Sequence, residues 1–300
     1  MIISSISQTN KINNIFNLNR KPQVSFSQSV DTFKRTTFKS VDKLFDSGRL
    51  FKFDNYNALT EVQKKELLKK VPEQIKFDVE KNIQIGEMFK KSLDEKYGEN
   101  NYIFECIGTS PAGIGRYLEF TGSEVHYLPI SGLKSLIKGA QLQFYVEDEG
   151  IKKYGEFLAS QGIKEGMDKE TDKQILFYDY TDSWKTLHTF RNILHDNYGI
   201  PMEFENSQFE YRSLNEDLKE LAETDQEEKD IDLYIESYLE EERIGKYSGV
   251  PHMRVGSMDV IDKLARAKMD DEASLFNFYM MYKLEQDGLL KENPRNKVSL

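Results

Sequence analysis

Residues 174–190 read QILFYDYTDSWKTLHTF. Ile175, Leu176, Phe177 and Tyr178 form an apolar run too short for a helix and rich in strand formers, so a buried strand is predicted. Asp179 stands where that strand ends. The polar residues Thr181, Asp182 and Ser183 follow, then Trp184, Lys185 and Thr186. Leu187, Phe190, Ile193 and Leu194 recur at helical spacing until Gly199 and Pro201 stop the pattern. A strand, an acidic end, a hydroxyl-rich turn and a helix start thus succeed one another. Such a turn aims backbone N–H groups and the positive end of a helix dipole at one point, which suits a phosphate.

Upstream the same alternation recurs. YIFECIG (102–108) is strand-like and is followed by the loop Thr109 to Gly113. Ile114, Tyr117 and Leu118 mark a short helix ending at Gly122, and VHYLPIS (125–131) is a third strand candidate. A helix over 151–161, carrying Ile151, Tyr154, Phe157 and Leu158, is stopped by Gly162. Strands alternating with helices at this spacing predict an α/β fold with a Rossmann-like parallel sheet and crossover connections. That core is expected over 99–210, with helical additions on both sides.

The N-terminal addition, 31–98, holds a capping-box pattern at Thr60 and Gln63 that opens a helix ended by Pro72. A longer helix over 75–97 follows, closed by Gly98. Residues 1–30, rich in Asn, Ser and Gln, are expected to be a flexible polar leader. From Glu203 the chain turns acidic, and 211–300 is expected to be a helical region. The loop 246–257 interrupts it with His252 and Arg254, and an apolar run, Leu275 to Leu284, lies near its end.

The net charge of −10 argues against general nucleic-acid binding or an anionic membrane surface, both of which need a basic face. No run reaches the roughly 20 apolar residues of a membrane helix, and the N-terminus lacks the pattern of a secretory signal. A soluble, cytoplasmic protein is the expectation. The single cysteine, Cys106, excludes an internal disulfide framework. His126, His188 and His195 show no ligand spacing with Cys106 or one another, so no metal site is predicted.

The two loops together resemble the type I phosphoribosyltransferase family, over roughly residues 75–200. In that family an apolar strand ends in acids, and a Thr/Ser- and Gly-containing loop leads into a helix. Aligning Thr186 with the last hydroxyl of the motif puts Asp179 on the second acid and Tyr178 on the first. The resemblance implies that Asp179 holds ribose hydroxyls and that Asp182, Ser183, Trp184, Lys185 and Thr186 bind a 5′-phosphate. It also implies that Gly108, Thr109, Ser110 and Gly113 bind pyrophosphate. Lys134 falls where the family has a mobile catalytic loop with basic residues, and Mg²⁺ would be carried by the substrate. Two departures stand out: one acid of the pair is missing, and Trp184 occupies a position where the family usually has glycine.

The resemblance implies a phosphoribosyl pyrophosphate site, or one for a related phosphorylated nucleotide or sugar, with transfer to a nitrogen nucleophile as its chemistry. The alternative is a catalytically inactive nucleotide-binding or protein-interaction protein on the same fold. In that case the acidic C-terminal helices would meet a protein partner. Simpler roles exist for each residue: Ser183 could cap the helix, Gly and Pro serve any turn, and Trp184 could plug the loop.

Overall fold

The computed structural model describes residues 53–108, 110–128, 170–180, 184–199, 208–236 and 271–291, together with scattered positions between 155 and 167. Helices α1 (Phe53–Asn57), α2 (Glu61–Lys70) and α3 (Glu73–Tyr97) come first. The predicted capping box is formed: the Gln63 amide donates to Thr60 Oγ1, and the Thr60 amide donates to Gln63 Oε1. Pro72 separates α2 from α3, and Gly98, at φ of 89°, ends α3. Strand β1 (Tyr102–Ile107), helix α4 (Ala112–Phe120) and strand β2 (Glu124–Leu128) follow. Then come β3 (Gln174–Asp179), α5 (Lys185–Tyr198), β4 (Phe209–Ser213), α6 (Leu214–Glu220), α7 (Asp225–Tyr234) and α8 (Asp271–Gln286).

The four strands form one parallel sheet in the order β2-β1-β3-β4. The α/β expectation holds at that level. One strand goes beyond the expectation: FEYRS, 209–213, straddles the boundary expected at 210 between the core and the acidic helical region. Its signal was alternation, with Phe209, Tyr211 and Ser213 buried and Glu210 and Arg212 half-buried.

Side chains alternate between the faces of the sheet. Phe104, Cys106, Leu176 and Tyr178 point into the larger core, shared with buried residues of α2, α3, α4, α6, α7 and α8. Phe104 and Tyr178 stack at 4.7 Å, and Phe89 from α3 meets Tyr178 edge-on at 5.4 Å. Ile103, Ile107, Ile175, Phe177, Phe209 and Tyr211 face the smaller core under α5. Helix α8, far along the chain, belongs to the larger core: Tyr56 and Lys64 bond Glu285, and Tyr279 bonds Glu80. The helices before and after the sheet therefore pack on the same face of it. No helix among the described residues is long and apolar enough to cross a membrane.

Candidate functional site

The chain runs from β1 outward to β2, then crosses to the other side of β1 to form β3 and continues to β4. The connections after β1 and β3 therefore leave in opposite directions along the sheet edge. In parallel sheets a crevice opens at such a reversal, beyond the carboxyl ends of the two strands. The two loops singled out in the sequence are the ones that follow β1 and β3.

After β1 the backbone turns at Gly108, with φ of 73°, a region glycine enters without steric cost. The Gly108 amide donates to the Leu128 carbonyl at 2.9 Å, tying the turn to the end of β2. Ser110 is half-buried, and α4 begins after Pro111 with no side-chain cap. Its first residues, Ala112 and Gly113, are buried. The leading N–H groups of a helix have no partner within it, so this start presents donors and positive dipole at the end of β1. Thr109 lies outside the described residues.

After β3, Asp179 ends the strand, 8% exposed and in register with Ser213 of β4. Ser213 hydrogen-bonds Asn215 at the start of α6. Trp184 is the residue before α5 and sits in the left-handed region, with φ of 56° and ψ of −2°, again without a side-chain cap. A bulky side chain is uncommon there. Trp184 thus takes a backbone conformation that favours glycine. The half-buried indole packs on the smaller core, its N–H donates to Glu216 Oε1 of α6 at 2.7 Å, and its ring meets His188 at 6.2 Å. Partial desolvation, with Arg191 beside it, holds the largely exposed His188 below its ordinary pKa. Lys185 and Thr186 open α5. Asp182, Ser183 and Lys134 lie outside the described residues, as do His252 and Arg254.

Tyr178 does not face the crevice with Asp179. It points to the opposite face, fully buried, and donates to Asp217 Oδ2 at 2.6 Å. Arg212 grips the same carboxylate through both oxygens, at 2.6 and 2.8 Å. Burial and Asp217 push the Tyr178 phenol well above its usual pKa. Next to Asp179 the chain therefore carries a neutral phenol bound to a carboxylate that Arg212 also pairs. Glu216 and Asp217 were not singled out in the sequence, because the acidic run around them hid β4 and the start of α6.

A separate surface concavity, about 400 Å³ and lined by Lys90, Asp94, Glu99 and Tyr117 among others, lies near the amino end of β1. Among the described residues no group of three His, Cys, Asp or Glu side chains is placed to hold a metal ion. No protein-family model, curated protein or solved structure matches the chain.

Proposed function

We propose that this protein binds a phosphorylated ribose compound, phosphoribosyl pyrophosphate or a related nucleotide or sugar phosphate, in the crevice between β1 and β3. The observation that carries this reading is the convergence at one strand-order reversal of two helix starts without side-chain caps and one acid, Asp179. In this reading the turn at Gly108, Thr109, Ser110 and Gly113 cradles pyrophosphate. The start of α5 takes the 5′-phosphate, and Asp179 accepts from the ribose hydroxyls. Helix starts and small residues suit anions because the backbone can close on them.

Mg²⁺ would arrive with the substrate, held mainly by its phosphate oxygens. This ion keeps several waters and needs only one or two carboxylates, which suits a crevice whose described part offers Asp179. The chemistry that follows is displacement at C1 of the ribose. A nitrogen lone pair forms the new C–N bond, the C–O bond to pyrophosphate breaks, and pyrophosphate leaves with the electron pair. The proton released from nitrogen goes to water or to the departing phosphate. Such a reaction needs positioning and stabilisation of charge more than a strong protein base.

Two observations favour a second reading, a binding protein without transferase activity. Trp184 takes a position that the resemblance assigns to glycine, and Tyr178 is committed to Asp217. Calorimetry with phosphoribosyl pyrophosphate and Mg²⁺ tests the site. Binding in the micromolar range, about −8 kcal/mol, lost in Asp179→Asn, is the expected result. Binding without pyrophosphate release in the presence of nitrogen acceptors selects the second reading, and no binding by the native chain removes both.

A further inference from the structure

Beneath the smaller core a row of charged groups runs across the β1–β2 edge. Glu105, in the middle of β1, is fully buried, and its register partner on β2 is His126, 4% exposed. His126 Nδ1 lies 2.6 Å from Glu105 Oε1, and His126 Nε2 lies 3.3 Å from Glu124 Oε1. The second oxygen of Glu124 accepts from Lys173 Nζ at 3.1 Å, just ahead of β3. The second oxygen of Glu105 is buried with no hydrogen-bond partner. The remaining neighbours on this face of the sheet, Ile103, Ile107, Leu128 and Phe177, are apolar. Glu105 of β1 and Glu124 of β2 are thus charged groups placed against His126, with Lys173 before β3 behind Glu124.

Each ring nitrogen meets a carboxylate oxygen. A neutral imidazole has one N–H, so one of its two contacts would set a nitrogen lone pair against an oxygen lone pair. An extra proton removes the clash, and it has three places to reside. Glu124 is an unfavourable host, because Lys173 already donates to its second oxygen and favours its charged form. Of an ordinary carboxylate and an ordinary imidazole, the imidazole is the more basic by about 2 pH units.

We propose that His126 is an imidazolium at neutral pH, clamped between Glu105 and Glu124, and that this buried cation makes the β1–β2 edge a pH-sensitive element of the fold. With the proton in place, the row alternates in sign: Glu105 negative, His126 positive, Glu124 negative, Lys173 positive. Without it, two carboxylates flank a neutral ring in a site with little water. The folded chain then binds this proton more tightly than the unfolded chain, whose histidine titrates near the ordinary value of about 6.5. The stability it supplies is therefore full below that value and is lost as pH rises through the higher folded one. The consequence reaches the crevice, since Gly108 is tied to the last residue of β2. Loosening this edge loosens the turn after β1.

The test is nitrogen-15 NMR of the native chain, which has four histidines, His126, His188, His195 and His252. His188→Gln, His195→Gln and His252→Gln assign His126 by elimination without disturbing it. The expected result is a His126 ring with both nitrogens protonated at pH 7.5. In Glu124→Gln its proton affinity should fall by about tenfold or more, as for loss of one neighbouring charge. A singly protonated, neutral His126 at pH 7.5 overturns the proposal, and so does a titration unmoved by Glu124→Gln.

Discussion

The turn after β1 enters the left-handed region at Gly108, with φ of 73°, whereas the turn after β3 does so at Trp184, with φ of 56°. Both lead into helices without side-chain caps, after the two strands at which the strand order reverses. At the first turn the conformation comes free with the residue type. At the second it costs on the order of 1–2 kcal/mol for a residue with a Cβ, and the indole's contacts with the smaller core, His188 and Glu216 offset that cost. The first turn is thus built on small residues and close backbone approach, and the second on a large side chain anchored to its neighbours.

The first turn should break more easily by added bulk. Gly115, in α4, sits so close to β1 that a Cβ there would lie 2.5 Å from Cys106 Sγ and 3.3 Å from the Tyr127 ring. Gly115→Ala is expected to destabilise the fold by roughly 1–3 kcal/mol, as overpacking does. In urea unfolding the midpoint should fall with the slope unchanged. Adding Cys106→Ala should recover part of the loss. If the double variant is no better than the sum of the singles, close packing of α4 on β1 is not what fixes this turn.

The next effect lies under the second turn. Tyr178→Phe removes a buried hydroxyl from Asp217 while Arg212 keeps its two-oxygen grip. A cost of about 1.5–2 kcal/mol is expected, the low end for a hydrogen bond to a charged group, because Arg212 still pairs Asp217. Little change in ligand binding should accompany it, because Tyr178 faces away from Asp179.

Acid sharpens the comparison further at the β1–β2 edge. The Glu124 carboxyl is held down to about 2 by His126 and Lys173. A lowered folded pKa means that Glu124 contributes stability above its unfolded value, about 4.3. That contribution is lost as pH falls from there toward 2. Lys173→Met should narrow the difference in urea midpoint between pH 5 and pH 3. The change should be modest, because Lys173 is partly exposed.

The sequence carried these two turns unequally. The parallel sheet was legible because β1, β2 and β3 are apolar runs bounded by glycine or acid, and the β1 and β3 runs are buried along nearly their whole length. β4 was not, because an edge strand needs only one buried face, and its alternate residues, Glu210 and Arg212, blend into the acidic run beyond. Asp179 and the helix starts could be placed from the end of an apolar run and the onset of helical spacing. The opposite orientation of Tyr178 follows from the two-residue period of a strand, but its partner Asp217 comes from an element past β4. The Glu105–His126 pair joins residues 21 apart in sequence, and only the β1–β2 register brings them together.

The smallest stability effect and the sharpest readout belong to Trp184 itself. Its bond to Glu216 is solvent-exposed, so Glu216→Gln should change stability by less than about 1 kcal/mol. As the only tryptophan of the chain, Trp184 nonetheless reports any release of the second turn directly in its emission, and a shift is expected in that variant. Trp184→Gly converts the second turn to the chemistry of the first. Relief of the left-handed strain opposes the lost indole contacts, so the net change should stay within roughly 1–2 kcal/mol. If the crevice takes a phosphate at the start of α5, the bare backbone can approach it more closely, and phosphoribosyl pyrophosphate should bind several-fold tighter by calorimetry. Weaker binding in Trp184→Gly would mean that the indole is itself part of the ligand's surroundings, and that the two turns hold different parts of the ligand by different means.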